Sequence, residues 1–333
     1  MRLSKIIQIL LFSNKPYRFL LLACLLILSG IFIKRPSPVK IERRKSTTFR
    51  AVITTLVRSD ARSIYLAMNM IHSVLRYHSY PNSSQAYPFL IFHDHDFTSL
   101  MRQQILSCVL ATYPLANISF ALVPFNTTVR PSESSPPGKT IGYRMMCRFW
   151  IYDIFHHPAI RQGQYDYLMR MDDDSYFSDR VPYDIFQDMH NENLDYVYRG
   201  VYSESAEAMD IVLGRYLTDL LVRLRSCVYN NFFAIRLQWY YQAKLVQSFI
   251  HELVKDDLIL REYIGDGCVH SAMLKLDKKV RRKQITAVAY GHNWHVMRAF
   301  ERVWMFAPAN NFIKEINETC AQLGLTSSGG PRA

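Results

Sequence analysis

Three consecutive carboxylates follow an apolar, strand-like segment near the middle of the sequence. Residues 165–171 (YDYLMRM) lead directly into Asp172, Asp173 and Asp174. Ligands of open α/β sheets bind beyond the carboxyl ends of strands, so these side chains are expected at such an edge. Carboxylates one residue apart suit a hard divalent cation, Mg²⁺ or Mn²⁺, which would neutralise the two phosphates of a departing nucleoside diphosphate. An acidic turn that binds no cation is the alternative interpretation.

Two further segments carry residue types that suit such a ligand. Residues 265–271 (GDGCVHS) place Asp266 between two glycines and His270 at the start of an apolar helical run. His270 is a candidate metal ligand, and the alternative is a structural histidine. Arg144 and Arg148 share one face of a predicted helix and could bind an anion, or they are ordinary surface arginines.

Strand-like and helix-like segments alternate from residue 50 onwards. Strands are predicted at 51–57, 87–93, 118–124, 165–171 and 195–201, and helices from Asp60, over 97–110 and over 144–156. This alternation predicts an α/β domain with a mostly parallel central sheet. The segment 130–139 (RPSESSPPGK) is rich in proline and serine, so we expect a loop that can move.

The positive charge of the chain is concentrated at its N-terminus. The net charge is +12, but residues 1–50 hold eleven Lys and Arg residues against one acidic residue. The rest of the chain therefore has a net charge of only +2, which argues against nucleic acid as a partner. Five cysteines follow residue 50. They allow at most two disulfides and leave one thiol.

The N-terminus also predicts the compartment. Residues 19–33 (FLLLACLLILSGIFI) are apolar and flanked by basic residues. We interpret 1–18 as a cytoplasmic tail, 19–33 as a transmembrane signal anchor, 34–49 as a stem and 50–333 as the luminal domain. A cleaved signal peptide is the alternative. The basic residues after the span favour the opposite orientation. Four glycosylation sequons, at Asn82, Asn117, Asn126 and Asn317, favour a luminal domain.

Several segments in order resemble one known family, the fungal-type Golgi α-1,2-mannosyltransferases of glycosyltransferase family 15. The resemblance covers about residues 50–295 and rests on LVRSD (56–60), PFLIFHDHDFT (88–98), GYRMMCRF (142–149), the segment 165–177 with YDIF (183–186), NF (231–232) and GDGCVHS (265–271). Such a chain is expected to have a GT-A-like fold and to be a single-pass type II protein of the Golgi membrane.

The resemblance also implies an activity and a set of site residues. The family transfers mannose from GDP-mannose, with retention and with a manganese ion, so the expected partners are this donor and a glycan or glycoprotein acceptor. By position, Asp172 and His270 would hold the Mn²⁺ (or Mg²⁺). The resemblance further assigns nucleotide-sugar binding to five residues: Arg58, Tyr143, Arg170, Asp172 and Asp174.

One departure from the family bears on catalysis. Phe233 occupies the position of the family's proposed nucleophilic glutamate, and a phenyl ring can neither attack an anomeric carbon nor stabilise a cation by charge. Three explanations are open: front-side attack without an enzymic nucleophile, replacement by another carboxylate such as Asp266 or Glu262, or a non-catalytic binding protein. A transferase that uses a UDP-sugar is a further alternative, since an Asp-x-Asp motif does not select the base.

Overall fold

The computed structural model describes residues 48–80, 86–136, 138–204, 206–218, 223–293 and 295–301, and the backbone of 305–306. These residues belong, apart from Thr48, to the compact unit Phe49–Ala333. The predicted anchor 19–33 and nearly all of the predicted stem 34–49 lie outside the described residues. Within the described ranges, no helix combines the length and the apolar character that a membrane crossing requires.

In the described part of the chain, the strands form one large sheet and two small ones. They are β1 (Ala51–Val57), β2 (Phe89–His93), β3 (Ile118–Leu122), β4 (Tyr167–Met171), β5 (Ser175–Phe177), β6 (Tyr196–Tyr198), β7 (Val201–Tyr202), β8 (Cys227–Val228), β9 (Phe232–Arg236), β10 (Arg282–Gln284), β11 (Tyr290–His292), β12 (His295–Met297) and β13 (Met305–Phe306). The seven-stranded sheet has the order β10-β6-β9-β4-β1-β2-β3. A second sheet has the order β13-β12-β11-β5, and β7 pairs with β8.

The large sheet is mostly parallel, as the sequence predicted. Its parallel pairs are β1 with β2 and with β4, β2 with β3, and β6 with β10. The exception is β9, which runs antiparallel to both β4 and β6 in the middle of the sheet. β9 was not predicted from the sequence, because the short apolar run 232–236 shows no hydrophobic periodicity that would distinguish a strand from a helix.

Helices connect the strands. They are α1 (Ala61–Val74), α2 (Ser99–Thr112), α3 (Ile141–Arg148), α4 (Pro158–Gly163), α5 (Ile185–Asn191), α6 (Glu207–Leu217), α7 (Leu237–Gln242), α8 (Lys244–Lys255), α9 (Leu258–Arg261) and α10 (Asp266–Leu276). A π-helical turn, Phe149–Asp153, continues α3 into Ile154–His156. Asp60 caps α1 by accepting a hydrogen bond from Ser63 N, which confirms the predicted start of that helix.

The helices cover both faces of the large sheet and form two apolar cores. One core packs α1, α2 and α5 against one face through side chains such as Met70, Val109 and Phe186. The other packs α3, α8 and α10 against the opposite face through side chains such as Trp150, Phe249 and Met273. Strands covered on both faces are rich in β-branched and apolar residues without alternation, which is why β1 and β2 could be recognised from sequence.

Three buried histidines tie the stability of this fold to pH. Burial lowers the pKa of His72, His78 and His270 from 6.5 to about 4. Each histidine takes up its proton on unfolding, so each contributes a loss of stability as the pH falls from about 6.5 to about 4. In contrast, burial raises the pKa of Asp173 from 3.8 to about 7. The folded state therefore gains stability from Asp173 as the pH falls from about 7 towards 3.8, which opposes one of the histidine contributions.

A single-histidine variant isolates this effect. His78 is fully buried, and its Nε2 accepts a hydrogen bond from Ile185 N at 3.1 Å, which a glutamine oxygen can replace. We expect the free energy of unfolding to fall between pH 7 and pH 5 by about 2 kcal/mol less in His78→Gln than in the wild type. Urea unfolding at the two pH values measures this difference. Equal losses in both proteins would contradict the assignment of a buried neutral histidine.

Candidate functional site

The aspartate triplet lies at the carboxyl end of β4, where the sequence placed it. Its first member is fixed by the backbone, since Asp172 N donates to Asn231 O at 3.0 Å. Ser175 N donates in turn to Asp172 O at 3.0 Å, which makes a tight turn of the triplet before β5 begins. The triplet therefore follows an internal strand of the central sheet. β4 lies between β1 and β9, and the three carboxylates lie at its carboxyl end.

Arg170 orients the carboxylate of Asp172. Its Nε donates to Asp172 Oδ1 at 2.7 Å, and its Nη2 donates to Oδ2 at 3.2 Å. Its Nη1 donates to Asp266 Oδ2 at 2.6 Å, and the guanidinium lies 4.2 Å from the ring centroid of Trp150. Arg170 has only 2% of its side chain exposed. The family resemblance predicted that Arg170 contacts the nucleotide. Its guanidinium instead bonds to two carboxylates, and its role is to orient Asp172.

A histidine that the sequence analysis did not single out completes the group of possible ligands. His292 Nε2 lies 2.9 Å from Asp174 Oδ1 and 4.0 Å from Asp172 Oδ2. One ligand atom from each of these three residues lies within 4.8 Å of the others. The small antiparallel sheet creates this proximity, because β11 pairs with β5 and puts His292 opposite Ser175.

The donor set and its electrostatics fit a divalent cation. Two carboxylates and an imidazole suit Mn²⁺ and related ions. Burial lowers the pKa of His292, but the Asp174 carboxylate, to which it is hydrogen-bonded, and Asp172 raise it by more. Burial and repulsion from Asp174 and Asp172 raise the pKa of Asp173 to about 7. A bound cation would relieve the repulsion among these carboxylates.

Two residues expected to contact the nucleotide, Arg58 and Tyr143, are exposed to solvent. The side chain of Arg58 is 77% exposed, and its positive charge acts to lower the pKa of both Asp173 and Asp174. Tyr143 is 39% exposed, and burial together with the charges of Asp266 and Glu204 raises the pKa of its hydroxyl. Both side chains are accessible from solvent, as contacts to a phosphate or a sugar require.

His270 does not share a site with Asp172. It is fully buried, its Nδ1 lies 2.9 Å from Tyr196 Oη, and its Nε2 lies 3.3 Å from Trp150 O. Its ring nitrogens face a tyrosine hydroxyl and a backbone carbonyl, whereas Asp172 and Asp174 group with His292 among the described residues. The structural alternative that the sequence left open describes this residue, and the geometry favours His292 as the third ligand.

The residues considered for nucleophilic catalysis are all engaged elsewhere. Asp266 is the second carboxylate partner of Arg170. Glu262 Oε2 accepts a hydrogen bond from Ser132 Oγ at 2.9 Å. Phe233 is fully buried, and its ring centroid lies 5.4 Å from that of Tyr196 and 4.6 Å from that of His270. Phe233 thus belongs to the core, Asp266 is committed to an ion pair, and Glu262 bonds to the proline-rich loop.

Arg144, which was considered for anion binding, holds the proline-rich loop instead. It is 1% exposed, and its guanidinium donates to Leu260 O and Arg261 O at 2.9 Å and to Lys139 O at 3.0 Å. Ser132 N also donates to Arg261 O at 3.0 Å. The loop expected to move is therefore fastened to α9 at several points.

The cysteines stabilise the neighbourhood of the site. Cys227 and Cys268 form a disulfide that links β8 to the first turn of α10. Glu204 lies beside this bridge, but oxidised cysteines offer no thiolate, so this group is not a metal site. Cys108 is also disulfide-bonded, and Cys147 is a free, buried thiol.

Comparison with known proteins identifies the family. A sequence model described as glycolipid 2-alpha-mannosyltransferase matches residues 32–220, which is more than half of the chain. The chain belongs to this family. It is therefore a glycosyltransferase, as the motifs at 142–149 and 165–177 indicated. No curated protein matches the glycosyltransferase by sequence.

Solved structures of low sequence identity share its fold. Core-mannan synthase A (CmsA/Ktr4) from Aspergillus fumigatus, in its Mn/GDP form, has a TM-score of 0.60 at 18% identity, over 81% of this chain and 84% of that one. The mannosyltransferase Ktr4p from S. cerevisiae has a TM-score of 0.62 at 16% identity, over 86% and 83%. The same enzyme in complex with GDP has a TM-score of 0.59 at 16% identity, over 84% and 83%. These likenesses confirm the GT-A-like fold.

Proposed function

We propose that this glycosyltransferase transfers mannose from GDP-mannose to a hydroxyl of a glycan or glycoprotein acceptor, with retention of configuration and with Mn²⁺ or Mg²⁺. The observation that carries the proposal is the group formed by Asp172, Asp174 and His292 at the carboxyl end of β4. The family match supports mannosyl transfer. The Mn/GDP and GDP complexes of the two structural relatives support this metal and this nucleotide.

The residues have distinct tasks in this proposal. Asp172, Asp174 and His292 would hold the cation, and Arg170 keeps the Asp172 carboxylate in one orientation. When bound, a divalent cation supplies positive charge that offsets the charge on a departing diphosphate. Arg58 and Tyr143, which are accessible from solvent, would donate hydrogen bonds to GDP-mannose.

Front-side attack fits the carboxylates of this chain. Asp266 is held in the ion pair with Arg170, Glu262 bonds to Ser132 of the proline-rich loop, and the buried Phe233 cannot attack the sugar. In the proposed step the acceptor hydroxyl attacks C1 of mannose on the face that the diphosphate leaves. The C1–O bond to the phosphate breaks, GDP departs with its electron pair, and the hydroxyl proton passes to the departing phosphate. Configuration at C1 is retained without a covalent enzyme intermediate.

A donor panel tests the proposed activity. The full-length protein is incubated with Mn²⁺, a mannose-containing glycan and either GDP-mannose or one of several UDP-sugars, and transfer to the glycan is measured by mass spectrometry. We expect transfer from GDP-mannose alone. Transfer from a UDP-sugar would replace the proposed donor, and GDP-mannose binding without transfer to any acceptor would favour the non-catalytic alternative.

We also propose that the catalytic domain faces the lumen of the Golgi, anchored by residues 19–33 as a type II protein. Two of the four sequons lie within the described residues, and their asparagines, Asn117 and Asn126, are both exposed. They flank β3, the edge strand of the large sheet. A luminal domain would expose both asparagines to glycosylation, whereas a cytoplasmic domain would not.

Glycan removal tests this orientation. We expect the protein from a eukaryotic host to gain mobility in gel electrophoresis after endoglycosidase treatment, and each of Asn117→Gln and Asn126→Gln to remove part of that shift. Ser119→Ala and Thr128→Ala are the matched controls, because they abolish the sequons but keep the asparagines. A protein that carries no glycan at any of its sequons would contradict a luminal domain.

A further inference from the structure

A tyrosine lies behind the histidine of the candidate metal centre. Tyr229 Oη is 2.9 Å from His292 Nδ1, the ring nitrogen that faces away from Asp174. The two rings meet edge to face, with centroids 5.7 Å apart. His292 is therefore held at both nitrogens, with the carboxylates on one side and the tyrosine on the other.

Asn231, two residues after Tyr229, also contacts the candidate metal centre. Asn231 Nδ2 donates a short hydrogen bond to Asp172 Oδ2 and lies 2.9 Å from His292 Nε2. The backbone of the segment is fixed, since Tyr229 N donates to Gly200 O at 2.9 Å. The ring of Tyr229 also packs edge to face against Tyr202, with centroids 5.9 Å apart. Its hydroxyl thus has a defined position relative to the imidazole.

We propose that Tyr229 is a positioning residue that holds His292 in the orientation and tautomer required for metal binding. When Nδ1–H donates to Tyr229 Oη, the proton lies on Nδ1, and the lone pair of Nε2 faces Asp172 and Asp174. Histidines that bind metals generally donate their second N–H to such a partner, and loss of that partner weakens metal affinity. This inference rests on the proposed function, because it assumes that His292 is a ligand.

The chain contains a matched pair on the other candidate histidine. Tyr196 Oη lies 2.9 Å from His270 Nδ1, the same separation as in the pair of Tyr229 and His292. Tyr196, however, is fully buried, and the Nε2 of its histidine faces Trp150 O instead of a carboxylate. Tyr196→Phe therefore removes the same type of tyrosine–histidine hydrogen bond, but at a histidine outside the candidate metal centre.

The test compares Mn²⁺ binding by the full-length protein in the presence of GDP, followed by the EPR signal of free Mn²⁺. We expect Tyr229→Phe to weaken Mn²⁺ binding by about 10-fold, Tyr196→Phe to leave it at the wild-type value and His292→Ala to reduce it most. Thermal unfolding of each variant shows whether its fold is intact. If Tyr229→Phe binds Mn²⁺ like the wild type while His292→Ala binds it weakly, the positioning role of Tyr229 is wrong. The assignment of His292 as a metal ligand is then still supported.

A spectroscopic measurement on the wild type needs no variant. Pulsed EPR of the bound Mn²⁺ is expected to show coupling to one imidazole, which His292→Ala removes and Tyr196→Phe retains. Absence of imidazole coupling in the wild type would overturn both this inference and the assignment of His292. Loss of Mn²⁺ binding in Tyr196→Phe, with normal binding in Tyr229→Phe, would transfer the role to His270.

Discussion

Asp172→Ala is expected to lower mannosyl transfer by about 10³-fold, the effect typical of losing one strong electrostatic contact at a reacting group. Asp172 is the residue of the candidate centre with the most support. Arg170 bonds to both of its oxygens, and Asn231 donates to one of them. A group held in this way needs no reorganisation during the reaction, so its removal affects the chemical step.

Asp172→Glu is the matched control for this prediction. It keeps the carboxylate and adds one methylene. We therefore expect Asp172→Glu to retain far more activity than Asp172→Ala, and to bind Mn²⁺. Initial rates of transfer from GDP-mannose, measured with Mn²⁺ titrated to saturation, separate weakened metal binding from lost catalysis. Asp172→Ala with wild-type rates at saturating Mn²⁺ would show that the carboxylate is dispensable.

The second large effect is expected at Asp266, and on stability. Asp266 is 6% exposed, and its Oδ2 accepts the 2.6 Å hydrogen bond from Arg170 Nη1. Removing one partner of a buried ion pair leaves an uncompensated charge and costs about 3–5 kcal/mol. Asp172 still contacts the other side of the guanidinium. We therefore expect Asp266→Ala to lower the free energy of unfolding by about 3 kcal/mol, near the lower end of this range, as measured by urea unfolding.

Asp266→Asn separates a structural role from a catalytic one. The amide keeps an oxygen that can accept from Arg170 but cannot act as a nucleophile or a base. If Asp266 only supports Arg170, Asp266→Asn should recover part of the lost stability and should retain measurable transfer. An Asp266→Asn protein that is as stable as the wild type but inactive would instead identify Asp266 as the replacement catalytic carboxylate, against the front-side reaction proposed above.

The sequence predicted the parts of the fold that depend on local patterns. β1 was placed at its observed residues because Ala51–Val57 is a run rich in β-branched residues, and α1 was found from its Asp60 cap. The triplet Asp172–Asp174 could be placed at a strand end because it follows β4 directly. In each case neighbouring residues in the chain determine the structure, so one segment carries the information.

His292, the third candidate ligand, could not be found from a local sequence pattern. Asp174 and His292 are more than one hundred residues apart, and they meet only because β5 and β11 pair in a small antiparallel sheet. Strands of three residues leave almost no periodic signal. His270 had the stronger local context, next to two glycines at a helix start, but its burial beside Tyr196 depends on packing that the sequence does not display.

A crystal of the protein grown with Mn²⁺ and GDP shows whether the ion binds at the carboxyl end of β4. Anomalous scattering at the manganese absorption edge identifies the ion without ambiguity. We expect one peak in coordination contact with Asp172 and His292, next to Asp174, with the diphosphate of GDP on its open side. A peak beside His270, or GDP bound elsewhere with no manganese at the end of β4, would contradict it.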